Sequence, residues 1–317
     1  MSDTLNLSTL AKHFSDEDKA REFLEAKRWP NGARCPHCKS EGAYKLTPKA
    51  ESKTPVRKGV WKCRECRKQF TVRVGTIFED SHIPLSKWLL AIHLLSASKK
   101  GHSAHQIHRM LGVTYKSAWF MMHRIRYAMV QEPLASKLSG IVEVDETYIG
   151  GKSKNMHKHV REARIKGRGT VDKAPVVTLV ERDGRVRSSH MARVTGENLR
   201  DVLREYVAPQ ANICTDSSPS YSGVDKEFAS HESVNHKEGE YVRGSVHVNS
   251  CESVHALLKR GVIGTYHHWS VKHLHRYLSE FDFRFNLRKV EDGERTLEAL
   301  KGFEGKRLMY KDPVKKR

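Results

Sequence analysis

Nowhere in the 317 residues does an apolar run approach the roughly 20 that a membrane-spanning helix requires. Met1–Asp18 is polar and carries no hydrophobic stretch of the signal-peptide kind. These two absences argue against a membrane or exported protein, and the expected address is cytoplasmic. Cysteine is scarce, with six residues. In a reducing compartment so few thiols read as metal ligands or free thiols before they read as disulfides. Internal repeats are missing. Negative charge is short as well: 37 Asp and Glu stand against 57 Lys and Arg, a formal net charge of +20. An excess of that size suits a polyanionic partner, because each cation that neutralises a phosphate releases a condensed counterion. A basic chain that is merely soluble, or that meets anionic membranes, carries the same charge, so the motifs must decide.

At 38% hydrophobic and 30% charged, the composition can build a core, and the length suits two or three domains. Ser15–Asp18 starts a helix that stops near Pro30, and Phe70–Val74 reads as a β-type run ending at Gly75. Helices are expected over about Leu85–Met129, broken at Gly101 and Gly112, with a boundary at Glu132-Pro133. From Ile141 the pattern changes to strands, over Ile141–Ile149, Val176–Val180 and Val186–Val194. A helix over Glu197–Tyr206, a short strand over Asn212–Thr215 and helices near 250–260 and 270–285 follow. Lys152–Lys173 is basic, Gly-containing and aperiodic, which reads as a loop. The expected organisation is multi-domain α+β: an N-terminal helix and cysteine module over 1–80, a helical module over 81–132, a larger domain over 135–292, and a basic tail over 293–317 whose end, Lys311–Arg317, is expected to be disordered.

Cys35-Pro-His-Cys38 and Cys63-Arg-Glu-Cys66 form two CxxC knuckles separated by 24 residues. Each pair of thiolates wraps one side of a tetrahedral Zn²⁺, and two pairs close the site, so its role is structural. A redox CxxC would not explain two of them. His37 lies inside the first knuckle, where it could substitute as a ligand or face solvent. Trp61 and Phe70 flank the second knuckle as strands of a zinc ribbon do. Cys214 and Cys251 stand alone and read as buried thiols.

The run from Ser103 to Arg126 has the outline of a helix-turn-helix. Ser103 can cap the first helix, Gly112 supplies the turn and Thr114 can cap the second. Ala104, Ile107 and Leu111 share one face; Ala118, Met121, Met122 and Ile125 point inward, leaving Lys116, Arg124 and Arg126 outside to meet DNA. A plain helical hairpin has the same pattern.

Ile141–Gly150 alternates like a strand yet holds Asp145 in its middle, with Glu143 on the same face. A charge there is usually solvated, and exceptionally a metal ligand. Asp216 ends a second apolar strand, where an aspartate is as often only a turn former. On a later helix Asn249 and Glu252 share a face, with Lys259 two turns beyond Glu252. Asp145, Asp216 and Glu252 thus occur in the order Asp, Asp, Glu, with 35 residues between the last two.

That pattern resembles the DDE transposases and integrases, and in particular the ISXO-two-like group of insertion-sequence transposases, whose members carry an N-terminal zinc ribbon. Cys35–His37-Cys38 with Trp61–Trp88, then Val142–Lys152, then His247–Asn286 are similar to that group's ribbon, first catalytic strand, and third-acid helix with its following signature. The likeness covers nearly the whole chain. It departs at Val254-His255, where members usually show an aromatic pair after the glutamate.

The resemblance implies an RNase H-like catalytic domain, a mixed sheet flanked by helices, at about 135–290. Asp145, Asp216 and Glu252 would hold two Mg²⁺ (or Mn²⁺) ions; some relatives use an asparagine as third ligand, which leaves Asn249 beside Glu252. It implies hydrolysis at transposon ends, then attack of the freed 3′-OH on target DNA. Lys259 and Arg260 would grip the backbone near the site, and Lys152, Lys154, Lys158, Lys166 and Arg168 more distant phosphates. Expected partners are double-stranded DNA and further copies of the chain, in a bacterial, DNA-associated setting. A DNA-binding regulator without catalysis, or a nuclease that cuts without joining, are the alternatives.

Overall fold

The computed structural model describes residues 5–47, 57–130, 136–151, 155–165 and 172–311. The chain divides into two compact units, Met1–Met129 with Val290–Arg317, and Val130–Lys289.

In the first unit, α1 (Leu7–His13) starts at Asn6, whose side chain accepts from Thr9 N in a capping box. Asp16 caps α2 (Glu17–Arg28), which stops ahead of Pro30. Three short antiparallel strands, β1 (Ala43–Lys45), β2 (Trp61–Cys63) and β3 (Gln69–Phe70), pair in chain order. The strand expected over Phe70–Val74 ends early. Val74 N closes a turn on Thr71 O at 3.1 Å, and Arg73 leaves for Ser81 O, Ile83 O and the Glu17 carboxylate.

Helices α3 (Leu85–Ala97), α4 (Ala104–Leu111) and α5 (Tyr115–Ala128) follow. Ser103 caps α4 and Thr114 caps α5, each accepting a backbone N–H three residues on. Gly112 ends α4 at φ +57°, a left-handed position that costs glycine little. Ile107, Leu111, Ala118, Met121, Met122 and Ile125 are buried as their spacing requires.

The outward placement of Arg124 and Arg126 is corrected: they are 4% and 1% exposed. Arg124 donates to Ile77 O and Glu79 O, both at 2.7 Å, and to Leu308 O at 3.0 Å. Polarity alone assigns an arginine to the outer face; here its long arm satisfies three buried carbonyls from two distant segments. Arg124→Ala is expected to destabilise this unit by about 3 kcal/mol or more, since charged hydrogen bonds are lost and carbonyls stranded. Urea denaturation checks this, with Lys116→Ala, an exposed neighbour on the same helix, expected to leave the midpoint unchanged.

The segment expected as a basic tail is also corrected. Asp292–Lys301 forms α10, which packs on α3 and α5. Thr296, Ala299, Leu300 and Phe303 are buried, and Thr296 Oγ1 pairs with His93 Nδ1 at 2.9 Å. Glu294, Arg295 and Glu298 between them obscure that helical spacing in the sequence. The last residues of the expected tail, 312–317, and the boundary at Glu132-Pro133 lie outside the described residues.

The second unit is a five-stranded mixed sheet in the order β6-β5-β4-β7-β8. Its strands are β4 (Ile141–Ile149), β5 (Ala174–Glu181), β6 (Val186–His190), β7 (Asn212–Asp216) and β8 (Ser230–Val234). β4 pairs antiparallel with β5 and parallel with β7. β8 adds a parallel edge that was not expected: in Ser-His-Glu-Ser-Val only Val234 is buried, so no alternation betrays it. The stretch read as an aperiodic loop contains a helix, α6 (Lys158–Arg164), and the strand expected to Val194 ends at His190.

Helix α7 (Gly196–Tyr206) covers one face of the sheet, where Val142, Val144, Leu199 and Leu203 share a core. The other face is covered by α8 (Asn249–Gly261) and α9 (Leu274–Asn286), with Val176, Val180, Val254, Leu258 and Phe281 packed together. A Cβ at Gly261 would lie 2.4 Å from the Phe281 ring, so this approach requires glycine.

On α9, Asp282 is 4% exposed and accepts Ser188 N from β6 at 2.7 Å. Burial pushes its carboxyl up to about 7. The folded state therefore keeps a proton that the unfolded chain, at its ordinary 3.8, releases. Stability contributed below pH 3.8 is lost as pH rises towards about 7, at about 1.4 kcal/mol per pH unit. Asp282→Asn, which still offers Ser188 an acceptor, is expected to flatten that decline in thermal melts taken between pH 4 and 7.

Candidate active site and metal centre

The first cluster is built by the two knuckles. Cys35 N donates to Ser40 O and Cys63 N to Lys68 O, and the residue after each second cysteine, Lys39 and Arg67, is left-handed, with φ of 64° and 57°. The two turns thus have matching shapes. The Cys35 and Cys66 sulfurs lie 3.6 Å apart, those of Cys38 and Cys63 3.5 Å, and all four donor atoms fall within 4.8 Å of one another. A zinc ion with Zn–S of about 2.3 Å spaces tetrahedral sulfurs by about 3.8 Å, so these thiols fit Zn²⁺. Backbone donation from Cys66 pulls the Cys63 thiol down to about 7, while, against a backbone donation from Lys68, burial and the neighbouring sulfurs push Cys66 up to about 11, so the crowded thiols do not ionise alike. His37 is exposed and outside the cluster. Trp29 packs edge-on against Trp61 and Phe70 beside it.

The second cluster lies on the central sheet. The β4–β7 register pairs Glu143 with Cys214; carried two residues on, it sets Asp145 beside Asp216 at the end of β7. Asp145 Oδ1 accepts Glu146 N at 2.8 Å, and Asp216 Oδ1 accepts Ser218 N at 3.1 Å. Burial, with the Asp145 charge adding to it, raises the Asp216 carboxyl above its ordinary value. Glu146 points to the opposite face, where the Tyr221 hydroxyl donates to it at 2.7 Å. Burial pushes it up to about 7, with the charges of Asp145 and Asp216 both contributing. Sequence reasoning passed over Glu146, although its place directly after the central aspartate was a signal.

Glu143, read as sharing the solvated face with Asp145, is fully buried. The Arg182 guanidinium donates to its Oε1 at 3.1 and 3.0 Å, and Ser250 donates from both backbone N, at 2.8 Å to Oε2, and hydroxyl, at 3.0 Å to Oε1. A strand carboxylate therefore caps the first turn of α8, where negative charge meets the positive end of the helix. Cys251, buried as expected, adds a thiol donated to Glu143 O at 3.3 Å; Cys214 is buried too.

That turn carries Glu252 and Asn249, both exposed, and Lys259 and Arg260 lie exposed further along α8. The structure thus brings Asp145 and Asp216 together and docks the helix bearing Glu252 against their strand. It does not draw the three acids to a common point: among the described residues only the four cysteines converge to metal-ligand spacing. Lys158 is exposed at the start of α6, while Lys152, Lys154, Lys166 and Arg168 lie outside the described residues. No helix among the described residues is long and apolar enough to cross a membrane.

Comparison with known proteins bears on both clusters. Residues 15–69 match the transposase zinc-ribbon domain family, and residues 137–286 match the ISXO2-like transposase domain. A Halobacterium salinarum protein described as "Uncharacterized protein in transposable element ISH50" is 31% identical over 286 residues, spanning 86% of this chain and 92% of that protein.

Proposed function

Because this chain belongs to the ISXO2-like transposase family, we propose that it is the transposase of an insertion sequence, freeing 3′-OH ends at the element's termini and joining them to target DNA. The observation that supports this most is the pair Asp145 and Asp216 on neighbouring parallel strands at the middle of a mixed sheet, with α8 anchored beside them. Three antiparallel strands continued by two parallel ones, with helices on both faces, support the reading of this unit as an RNase H-like core.

The donor set suits Mg²⁺ or Mn²⁺: the groups are carboxylate oxygens, and positive charge would favour the charged form of Asp216 against the burial, and the lesser push of the Asp145 charge, that raise its carboxyl. Asp145, Asp216 and Glu252 would hold two ions, with Asn249 as the alternative to Glu252. Such ions, when bound, activate the attacking oxygen and stabilise the leaving one. The chain's own part is to hold and orient. Glu143 and Arg182 fix the start of α8, and Lys259 and Arg260 grip the phosphate backbone beside the acids. In the first unit, the ribbon and the α4–α5 pair, led by Lys116 near the start of α5, would bind the element's ends. Synapsis of two ends calls for more than one copy of the chain.

The test is a strand-transfer assay with the element's own terminal repeats. Joined product that appears with Mg²⁺ and vanishes with chelator is the expected result. Cleavage without joining would indicate a nuclease, and binding with neither would indicate a regulator.

A further inference from the structure

We propose that His255 is a positioning residue that holds the Asp145 carboxylate, so that α8 carries both an acid of the site and the support of another. This rests on the metal-binding reading of Asp145 given above. His255 lies one turn beyond Glu252 but on the buried side of α8, 5% exposed, among Cys251, Val254 and Leu258. Its Nδ1 is 3.4 Å from Asp145 Oδ2. The other oxygen of that carboxylate already accepts Glu146 N, so His255 bears on the oxygen the backbone leaves free.

The direction of the contact follows from the rest of the ring. Nε2 is buried, and no protein group among the described residues pairs with it. A proton on Nε2 would be a stranded donor, and would leave the Nδ1 lone pair facing a carboxylate oxygen. A proton on Nδ1 removes both costs and turns the ring into a donor to Asp145. At 3.4 Å the contact is long for a hydrogen bond, and polar contacts of this kind tighten when a site is loaded. The ring fills the place of an aromatic side chain while adding a donor that phenylalanine or tryptophan on that turn would direct elsewhere or lack.

Asparagine and glutamine separate this role from packing, because an Asn side-chain N–H imitates Nδ1 and a Gln N–H imitates Nε2. The readout is Mn²⁺ binding to the full-length zinc-loaded protein, followed by the electron paramagnetic resonance of free Mn²⁺, with thermal melts in chelator as a check on folding. His255→Phe and His255→Gln are expected to weaken Mn²⁺ binding about 10-fold or more, as loss of a group that supports a ligand does, whereas His255→Asn stays within a few-fold of wild type. In cleavage assays the Mg²⁺ requirement rises for Phe and Gln while the rate at saturating Mg²⁺ changes little. Equal Mn²⁺ affinity in wild type, Phe and Gln overturns the proposal, as does an Asn variant as weak as Gln. Asp145→Asn distinguishes the two levels: if it too binds Mn²⁺ like wild type, the metal-site reading itself fails.

Discussion

Asp145→Asn and Asp216→Asn are each expected to lower cleavage and joining by about 10³-fold or more while DNA binding survives. The reasoning is electrostatic. Either change removes a negative ligand from a cation site at nearly constant volume, and metal-borne charge stabilisation of several kcal/mol corresponds to rate losses of about that size. Folding should not suffer. Asp216 is held above its ordinary ionisation range by burial and by Asp145, so neutralising either partner relieves repulsion, and melting temperatures in chelator should hold or rise. Because the carboxylates act as a unit, the double variant should be hardly slower than either single one. Glu252→Gln and Asn249→Ala, on the same exposed turn of α8, decide the third ligand: the lethal change identifies it. Wild-type joining by both aspartate variants would sink the catalytic reading. Single-turnover cleavage and mobility-shift assays on the same preparations measure both quantities.

Cys63→Ser is expected to release zinc and unfold the ribbon. The four thiols meet between two turns and three strands of two or three residues each, and the core beside them is little more than Trp29, Trp61 and Phe70. So small a core cannot stand alone, and a structural zinc site contributes on the order of 10 kcal/mol or more. The variant should lose its zinc in metal analysis, lose the protection of residues 30–47 and 57–75 against proteolysis, and bind the element's ends more weakly. The sheet of the second unit, with hydrophobic cores of its own, should melt as in wild type. Full zinc content in the variant, or none in wild type purified without chelator, would contradict the assignment.

Much of this was legible in the chain itself, for identifiable reasons. The knuckles, both helix caps around Gly112 and the central strand of the sheet are local signals, in which a few adjacent residues specify the backbone. What sequence reading missed is non-local. Arg124 and Arg126 looked solvated because nothing near them in sequence reveals the carbonyls of residues 77, 79 and 308 that Arg124 meets. Glu143 looked like a surface charge until Arg182 and Ser250 arrived from elsewhere in the chain. β8 lacks apolar alternation because it is an edge strand, and α10 hides its buried stripe between charges. In the candidate site, the order of the acids was readable. The pairing of Glu146 with the buried Tyr221 and the contact of His255 with Asp145 were not, since both join segments far apart in sequence.

The return of α10 to the N-terminal unit has a consequence during synthesis. Residues 130–289 are an insertion within the sequence of the first unit, so the sheet unit can fold as soon as it leaves the ribosome. The first unit must wait for residues 290–308 to supply the partner of α3 and the carbonyl of Leu308 that Arg124 engages. A nascent or prematurely terminated chain therefore carries a completed sheet unit and an unfinished N-terminal one. Frameshifts or stop codons falling between residues 290 and 308 would cripple the first unit although they spare everything it contributes before residue 130.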